Sequence, residues 1–152
     1  MTGKQYFVRV ANAMKTKESL EQKIKDLKEC ATCIGSFEYD KVKVRTSKTN
    51  HQEEKVIRML DAIEEYDQRI TEYARLILEA EYRLTFLSKR EYADVIRLRY
   101  FQSRRLSWDE IGEKMGYTEN GARTIHRSAL TEFEQKYLKN DHLLHEKGSK
   151  KG

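Results

Sequence analysis

The chain has 152 residues and is mildly basic: 30 lysines and arginines face 25 aspartates and glutamates, a formal charge of +5. Hydrophobic residues make up 38% of it, charged residues make up 36%, and the mean hydropathy is −0.86. So little apolar surface cannot offset the ordering entropy of one large compact core, so we expect long, thin helices instead. No apolar run approaches the roughly 20 residues of a membrane span and no signal peptide is evident, so we expect a cytoplasmic protein with no membrane partner.

The cysteines and histidines do not predict a metal site. Cys30 and Cys33 form a lone C-x-x-C. A tetrahedral zinc site needs two further ligands, and the four histidines offer only the H-x-x-H pair of His142 and His145 near the C-terminus. At helical spacing the two cysteines are interpreted as small packing residues. We therefore predict no metal, no disulfide and no cofactor.

The first part of the chain predicts a helical arm over residues 1–87. Its first helix, residues 13–34, ends at Gly35 and carries a heptad seam formed by Leu20, Ile24, Leu27, Ala31 and Ile34. A polar, basic loop is predicted at 35–52, where a brief alternation over 39–44 is either a small strand or irregular. The second helix begins near Gln52 or Glu53, runs to about Leu87 and has a seam at Ile63, Tyr66, Ile70, Tyr73, Ile77, Ala80, Leu84 and Leu87.

The second helix is a rod of roughly 50 Å at the rise of an α-helix. Its apolar seam must be covered, either by the first helix in an antiparallel hairpin or by another copy of the chain. Because the first helix is shorter by about a third, it cannot cover the whole seam. We therefore expect a homo-oligomer that forms through the arm.

Residues 88–138 predict a second domain of short helices. Capping boxes at 88–91 (S-K-R-E) and 107–110 (S-W-D-E) indicate two helix starts, and a basic turn at 102–106 lies between them. The second of these helices ends at Gly116, and Thr118 then caps a last helix over 119–137. The inward stripe of that last helix is Ala122, Ile125, Ala129, Leu130, Phe133 and Tyr137. Residues 139–152 are expected to be a flexible basic tail.

Two helices joined by a short glycine-containing turn predict a helix-turn-helix. Gly112 and Ala122 are small where the helices would touch, and Gly116 is suited to the positive φ of the turn. The outer face of the last helix then carries side chains of the kinds that read base edges in a major groove: Glu119, Asn120, Arg123, Thr124 and Arg127. The pattern alone is also compatible with a helix-turn-helix that has a purely structural role or that binds another protein.

Residues 92–134, YADVIRLRYFQSRRLSWDEIGEKMGYTENGARTIHRSALTEF, resemble the DNA-binding region four of sigma factors. In that region an LRY helix precedes an EIG or EIA helix, a short turn and a helix of the VR.I...AL kind. In architecture the whole chain is similar to the ArpU and RinA type activators of late genes in phages of Gram-positive bacteria. The resemblance implies an all-α fold, double-stranded DNA and host RNA polymerase as partners, and the cytoplasm of a bacterial host cell as location.

The resemblance also implies roles for individual residues. Arg123 and Thr124 correspond to positions that read promoter bases, Asn120 to a further base contact, and Arg127 lies along the same face. The implied phosphate contacts are Arg104, Arg105, Ser107, Trp108 and the helix start at Thr118. Trp108 is equally interpretable as a core anchor. Since no part of the chain corresponds to the region of a sigma factor that melts DNA, we expect an accessory activator.

Two other functions remain compatible with the sequence. One is a DNA-packaging recognition protein of the small-terminase type, which would form a ring of many subunits. The other is a coiled-coil adaptor that does not bind DNA. We do not expect an enzyme, because the chain has no glycine-rich phosphate loop, nucleophile elbow or H-E-x-x-H. A DNA recombinase with a catalytic tyrosine would also need catalytic arginine and histidine residues, and no such set accompanies any of the nine tyrosines.

Overall fold

The computed structural model describes the backbone of residues 1–41 and 46–139, and the side chains of residues 1–32 and 51–139. Within these ranges the protein is all-α, as predicted, and has no β-strand. Its helices are α1 (Gly3–Lys41), α2 (Thr46–Leu84), α3 (Arg90–Tyr100), α4 (Trp108–Met115) and α5 (Glu119–Phe133). A π-helical turn, Glu134–Leu138, continues α5.

The loop expected at residues 35–52 is largely helical. Helix α1 continues to Lys41 and α2 begins at Thr46, so the prediction that Gly35 ends α1 is wrong. Glycine inside a helix costs only about 1 kcal/mol relative to alanine, and it ends a helix where the chain turns to positive φ. Among the described residues, Gly116 alone has a positive φ. Residues 42–45, the side chain of Cys33 and the expected tail beyond Lys139 lie outside the described residues.

The chain divides into two compact units, of which the arm unit comprises Lys15–Arg75. Leu20 and Ile24 of α1 and Ile63 of α2 are buried in it. The ammonium group of Lys23 lies 5.9 Å from the centroid of the Tyr66 ring, so α1 and α2 are neighbours in this unit. The predicted seam positions of α2 in this unit are buried or half-buried, as the heptad pattern indicated.

The terminal unit combines Met1–Met14 with the chain from Leu76 onward. The sequence-based division differs from this, because it assigned residues 1–87 to the arm and began the second domain at residue 88. Phe7 of α1 is fully buried, and its ring centroid lies 4.6 Å from that of Phe133 and 5.6 Å from that of Tyr100. Three short helices enclose too little apolar volume by themselves, so the first turns of α1 and the last turns of α2 complete their core.

The capping box predicted at residues 88–91 is wrong. Helix α3 begins at Arg90, and its N-cap, Lys89, makes no side-chain cap bond. The Ser88 hydroxyl instead donates to Glu132 Oε2 at 2.8 Å, and the Glu91 carboxylate accepts from the Tyr117 hydroxyl at 2.5 Å. Both side chains are used in tertiary contacts with α5 and the turn before it, which a local sequence pattern does not reveal.

The burial of Phe7 predicts that the first turns of α1 stabilise the terminal unit. Phe7→Ala should lower the free energy of unfolding by about 3–5 kcal/mol, because it leaves a cavity between α1, α3 and α5. Val8→Ala is the control: Val8 is exposed, so its change should be within about 0.5 kcal/mol. Urea unfolding followed by circular dichroism measures both. Equal stabilities of the two variants would contradict the packing of α1 described above.

Candidate nucleic-acid interface

The corner between α4 and α5 is built from three local signals that the sequence predicted and the structure confirms. Ser107 and Glu110 form a capping box: the Ser107 hydroxyl accepts from the Glu110 amide at 3.2 Å, and the Glu110 carboxylate accepts from the Ser107 amide at 2.9 Å. Gly116 ends α4 in the left-handed conformation, with φ of 76°. The Thr118 hydroxyl then accepts from the Gly121 amide at 3.1 Å and starts α5.

Gly112 fixes how closely α4 approaches the start of α5. A Cβ atom at this position would lie 2.7 Å from the Tyr117 carbonyl oxygen and 3.0 Å from two backbone atoms of Thr118. The Tyr117 amide donates to the Gly112 carbonyl at 2.8 Å. Because backbone meets backbone here, no flexible side chain can move away to make room. Glycine is therefore required for this spacing, and Ala122 on α5 is fully buried behind it.

The five predicted base-reading residues share the outer face of α5. Glu119, Asn120, Arg123, Thr124 and Arg127 are all exposed, whereas Ala122, Ala129 and Phe133 are buried on the opposite face. Arg123 forms an ion pair with Glu119 at 2.6 Å, and the Thr124 hydroxyl donates to the Asn120 carbonyl at 2.9 Å. Arg127 has no ion pair with any described residue. The geometry brings the five side chains together, and their roles in base recognition stay predictions.

The residues predicted to contact phosphate differ in whether their polar groups already bind other parts of the protein. Arg104 binds the Glu110 carboxylate with both terminal nitrogens, at 3.2 and 3.0 Å. This bidentate bond is the main reason that the pKa of Glu110 is lowered to about 2. The hydroxyls of Ser107 and Thr118 are engaged as helix caps. Arg105 is exposed and has no ion pair within the described ranges, so its charge is uncompensated.

Trp108 is half-buried at the edge of the same surface. The guanidinium carbons of Arg99 and Arg123 lie 4.4 and 6.0 Å from its ring centroid. His126 packs edge-to-face on the indole at 4.7 Å, and Nε2 of His126 is hydrogen-bonded to the Tyr100 hydroxyl at 3.0 Å. We call these residues the Trp108 cluster: Arg99, Tyr100, Trp108, Arg123 and His126.

The electrostatics of the Trp108 cluster show that cations are concentrated here. Burial lowers the pKa of Arg99, and the neighbouring charges of Arg105 and Arg123 lower it further. Burial also lowers the pKa of His126 to about 4, with smaller contributions from Arg99 and Lys4. Lys4 lies near α5 because the preceding residue, Gly3, is bound just beyond the end of that helix: the Gly3 amide donates to Glu134 Oε1 at 2.6 Å.

Sequence reasoning missed Lys4, Arg99 and His126 as members of this surface. The apolar spacing of Tyr6, Val10 and Ala13 is a helical signal that could have extended α1 to the N-terminus. It could not show that this helix packs on α5. Nothing local in the sequence distinguishes His126 or Arg99 from an ordinary exposed helical residue.

Comparison with known proteins does not assign the chain to a family. No family model, curated protein or solved structure matches the chain. Within the described part of the chain, the helices contain no apolar stretch of the length needed to cross a bilayer. The same part holds no group of three or more potential metal-ligating side chains, and Cys30 there is exposed and unbridged. Any functional conclusion therefore depends on the surface of the terminal unit itself.

The close approach at Gly112 predicts a specific sensitivity. Gly112→Ala should lower the free energy of unfolding by about 1–3 kcal/mol, because the added methyl group forces the backbones of α4 and the turn apart. Glu113→Ala, at the next and exposed position of α4, should change it by less than about 0.5 kcal/mol. Chemical denaturation of both proteins gives the comparison. An unchanged stability for Gly112→Ala would show that the corner can open without cost.

His126 predicts a pH dependence of stability. Its pKa is about 4 in the folded protein, well below the ordinary histidine value of 6.5, so the unfolded chain binds the proton more tightly. Stability should be complete above pH 6.5 and should fall between pH 6.5 and 4, by about 2 kcal/mol after allowance for the partial exposure of the ring. Protonation would add a third cation to Arg99 and Lys4, and within the described part of the chain the hydrogen-bond partner of the ring is the neutral Tyr100 hydroxyl.

The measurement is thermal or urea unfolding of the wild type and of His126→Gln across this pH range. The difference between the two proteins isolates the histidine from the carboxylates, which both proteins share. His51→Gln, at an exposed position, should retain the wild-type slope. If His126→Gln shows the same pH dependence of stability as the wild type, His126 is not the cause of that dependence.

Proposed function

We propose that the protein is a sequence-specific DNA-binding regulator of transcription that reads a major groove with α5. The observation that carries the proposal is the outer face of α5, where five exposed polar and charged side chains stand opposite a face on which Ala122, Ala129 and Phe133 are fully buried. The buried side chains on the inner face keep the helix from rotating. A helix held in this way can present one fixed set of side chains to base edges.

The shape of this face suits a groove. At 100° per residue, Glu119, Asn120, Arg123, Thr124 and Arg127 span an arc of roughly 140° over about two and a half turns. An α-helix with its side chains is about as wide as the major groove of B-DNA. Arginine pairs bidentately with guanine, asparagine with adenine, and glutamate accepts from the cytosine amine. The residue types therefore supply readers for three of the four bases.

The surrounding charge suits a duplex backbone. Four basic side chains of the terminal unit form no ion pair with a described residue. They are Lys4 on α1, Arg99 on α3, Arg105 in the turn after α3, and Arg127 on α5. Contacts from such cations to phosphates position a protein on DNA and contribute much of its affinity. The exposed apolar side chains of Ile57 and Leu60 on α2 support self-association of the arm unit. A dimer would place two copies of α5 on two half-sites.

The resemblance of residues 92–134 to sigma region four narrows the proposed role. It favours an activator of phage late genes of the ArpU and RinA type, with host RNA polymerase as a partner and the bacterial cytoplasm as its location. The alternative role, DNA packaging of the small-terminase type, requires a different number of subunits in the assembly. Light scattering of the full chain separates them, because a monomer or dimer agrees with transcription and a ring of many subunits agrees with packaging.

In vitro selection from a random double-stranded DNA library tests the central proposal. The full-length protein should enrich one family of duplexes, and it should bind the enriched duplex at least about 10³-fold more tightly than random duplex at physiological salt. Weak binding that disappears as salt rises, with no enriched sequence, would overturn sequence recognition. No binding at low salt would leave the coiled-coil adaptor as the better interpretation.

Arg123 and Arg105 should respond differently to substitution. Arg123→Ala should cost about 1–3 kcal/mol on the enriched duplex and little on random duplex, because a base contact is lost. Arg105→Ala should weaken binding to both duplexes equally and should reduce the slope of log affinity against log salt by about 1. Fluorescence anisotropy over a salt series measures both effects. Lys25→Ala, an exposed arm-unit lysine, is the control. Equal losses for Arg123→Ala on both duplexes would mean that Arg123 only neutralises phosphate.

A further inference from the structure

The single tryptophan of the chain, Trp108, has two arginines near its ring on the proposed DNA-binding surface. The Arg99 guanidinium is 4.4 Å from the Trp108 ring centroid, and the Arg123 guanidinium is 6.0 Å from it. Both distances are within the range at which a cation is attracted to the face of an aromatic ring. The Trp108 ring therefore lies within cation–π distance of a predicted base-reading side chain on a neighbouring helix.

The two arginines are held to different degrees. Arg99 also donates to the Leu106 carbonyl at 2.7 Å, so it is fixed by both the ring and the backbone. Beyond the ring, Glu119 on its own helix is the one described residue whose side chain binds the Arg123 guanidinium, and both side chains of that pair are about half exposed. An exposed pair of this kind restrains a side chain weakly. Of the two, Arg123 is the arginine that can turn toward a base.

The position of Trp108 explains how it can restrain Arg123. Trp108, the first residue of α4, packs on His126 in the middle of α5, and Arg123 lies one helical turn before His126 on the same helix, so its guanidinium comes within 6.0 Å of the ring centroid. Its ring is itself immobilised, because His126 packs on it at 4.7 Å and is hydrogen-bonded to Tyr100.

We infer that Trp108 is a positioning residue for sequence recognition: its ring face restrains the Arg123 guanidinium before DNA is bound. A side chain that is ordered in advance loses less rotamer entropy when it binds a base. Trp108 then acts through Arg123 and not through a phosphate. The inference rests on the proposed function, since it names what makes one of its base-reading residues selective.

Substitutions at Trp108 separate this role from a direct phosphate contact. Phenylalanine keeps an aromatic face and removes the indole N–H, whereas leucine removes both and still fills apolar space. A phosphate contact needs the N–H, so it would be lost in both variants. Restraint of Arg123 needs only the ring face, so it would survive in Trp108→Phe.

The experiment measures affinities of the full-length protein for the duplex enriched by selection and for a random duplex of equal length. Trp108→Leu should bind the enriched duplex about 3- to 10-fold more weakly, the range expected for one cation–π contact, and random duplex within about twofold. Trp108→Phe should bind both within about twofold of the wild type. In an Arg123→Ala background, Trp108→Leu should add less than about a twofold effect, because its partner is gone.

Several results would overturn the inference. They are a Trp108→Leu loss that is equal on both duplexes, a Trp108→Phe protein that behaves like Trp108→Leu, or a Trp108→Leu effect that persists undiminished without Arg123. Circular dichroism checks that each variant is folded, and Trp108→Met replaces the leucine variant if that one is not. If the wild type enriches no duplex, the proposed function itself fails. Enrichment together with an unaffected Trp108→Leu protein refutes the positioning role alone.

Discussion

The arrangement of the terminal unit depends on one backbone contact, the approach of Gly112 on α4 to the Tyr117–Thr118 peptide before α5. A Cβ at Gly112 would lie 2.7 Å from the Tyr117 carbonyl oxygen, so only glycine allows this spacing. The left-handed Gly116 reverses the chain between the two helices, and the Thr118 cap then sets where α5 begins. With this start fixed, burial of Ala122 determines which residues of α5 face outward. The proposed reading face is therefore a consequence of packing at two small residues.

The rest of the terminal unit holds α5 along its length. Toward its C-terminal end, Glu132 accepts hydrogen bonds from the amide and hydroxyl of Ser88, and Glu134 accepts from the amide of Gly3. These two carboxylates connect the end of α5 and the turn that follows it to the segment between α2 and α3 and to the start of α1. Phe133 between them is buried against Phe7. A helix anchored at both ends and along its inner face is rigid, which is what selective recognition of another macromolecule requires.

The Trp108 cluster is the part of the surface where stability and function make different demands. Burial lowers the pKa of Arg99, and the charges of Arg105 and Arg123 lower it further, so collecting these cations on one surface opposes folding. A ring face and a backbone carbonyl partly compensate the charge of Arg99, but no carboxylate among the described residues pairs with it. Uncompensated cations on a folded surface are favourable when an anion binds there. This agrees with the proposed polyanionic partner. His126 stays neutral in the same cluster chiefly because burial lowers its pKa, with smaller contributions from the charges of Arg99 and Lys4.

The sequence by itself determined the features that depend on near neighbours in the chain. These are the all-α class, the apolar seam of α2, the cap at Ser107, the turn at Gly116, the start at Thr118 and the division of α5 into two faces. Local hydrogen bonds and helical periodicity are encoded within a few residues, so they can be read directly. Three other features were decided only by the tertiary structure. Ser88 and Glu91 form hydrogen bonds with α5 and the turn before it instead of capping α3, and Phe7 completes the core. Three side chains adjoin the candidate interface: Lys4, Arg99 and His126. Each of these depends on which distant segment becomes a neighbour, and the free energy of that choice comes from buried apolar surface shared between segments that no local pattern specifies.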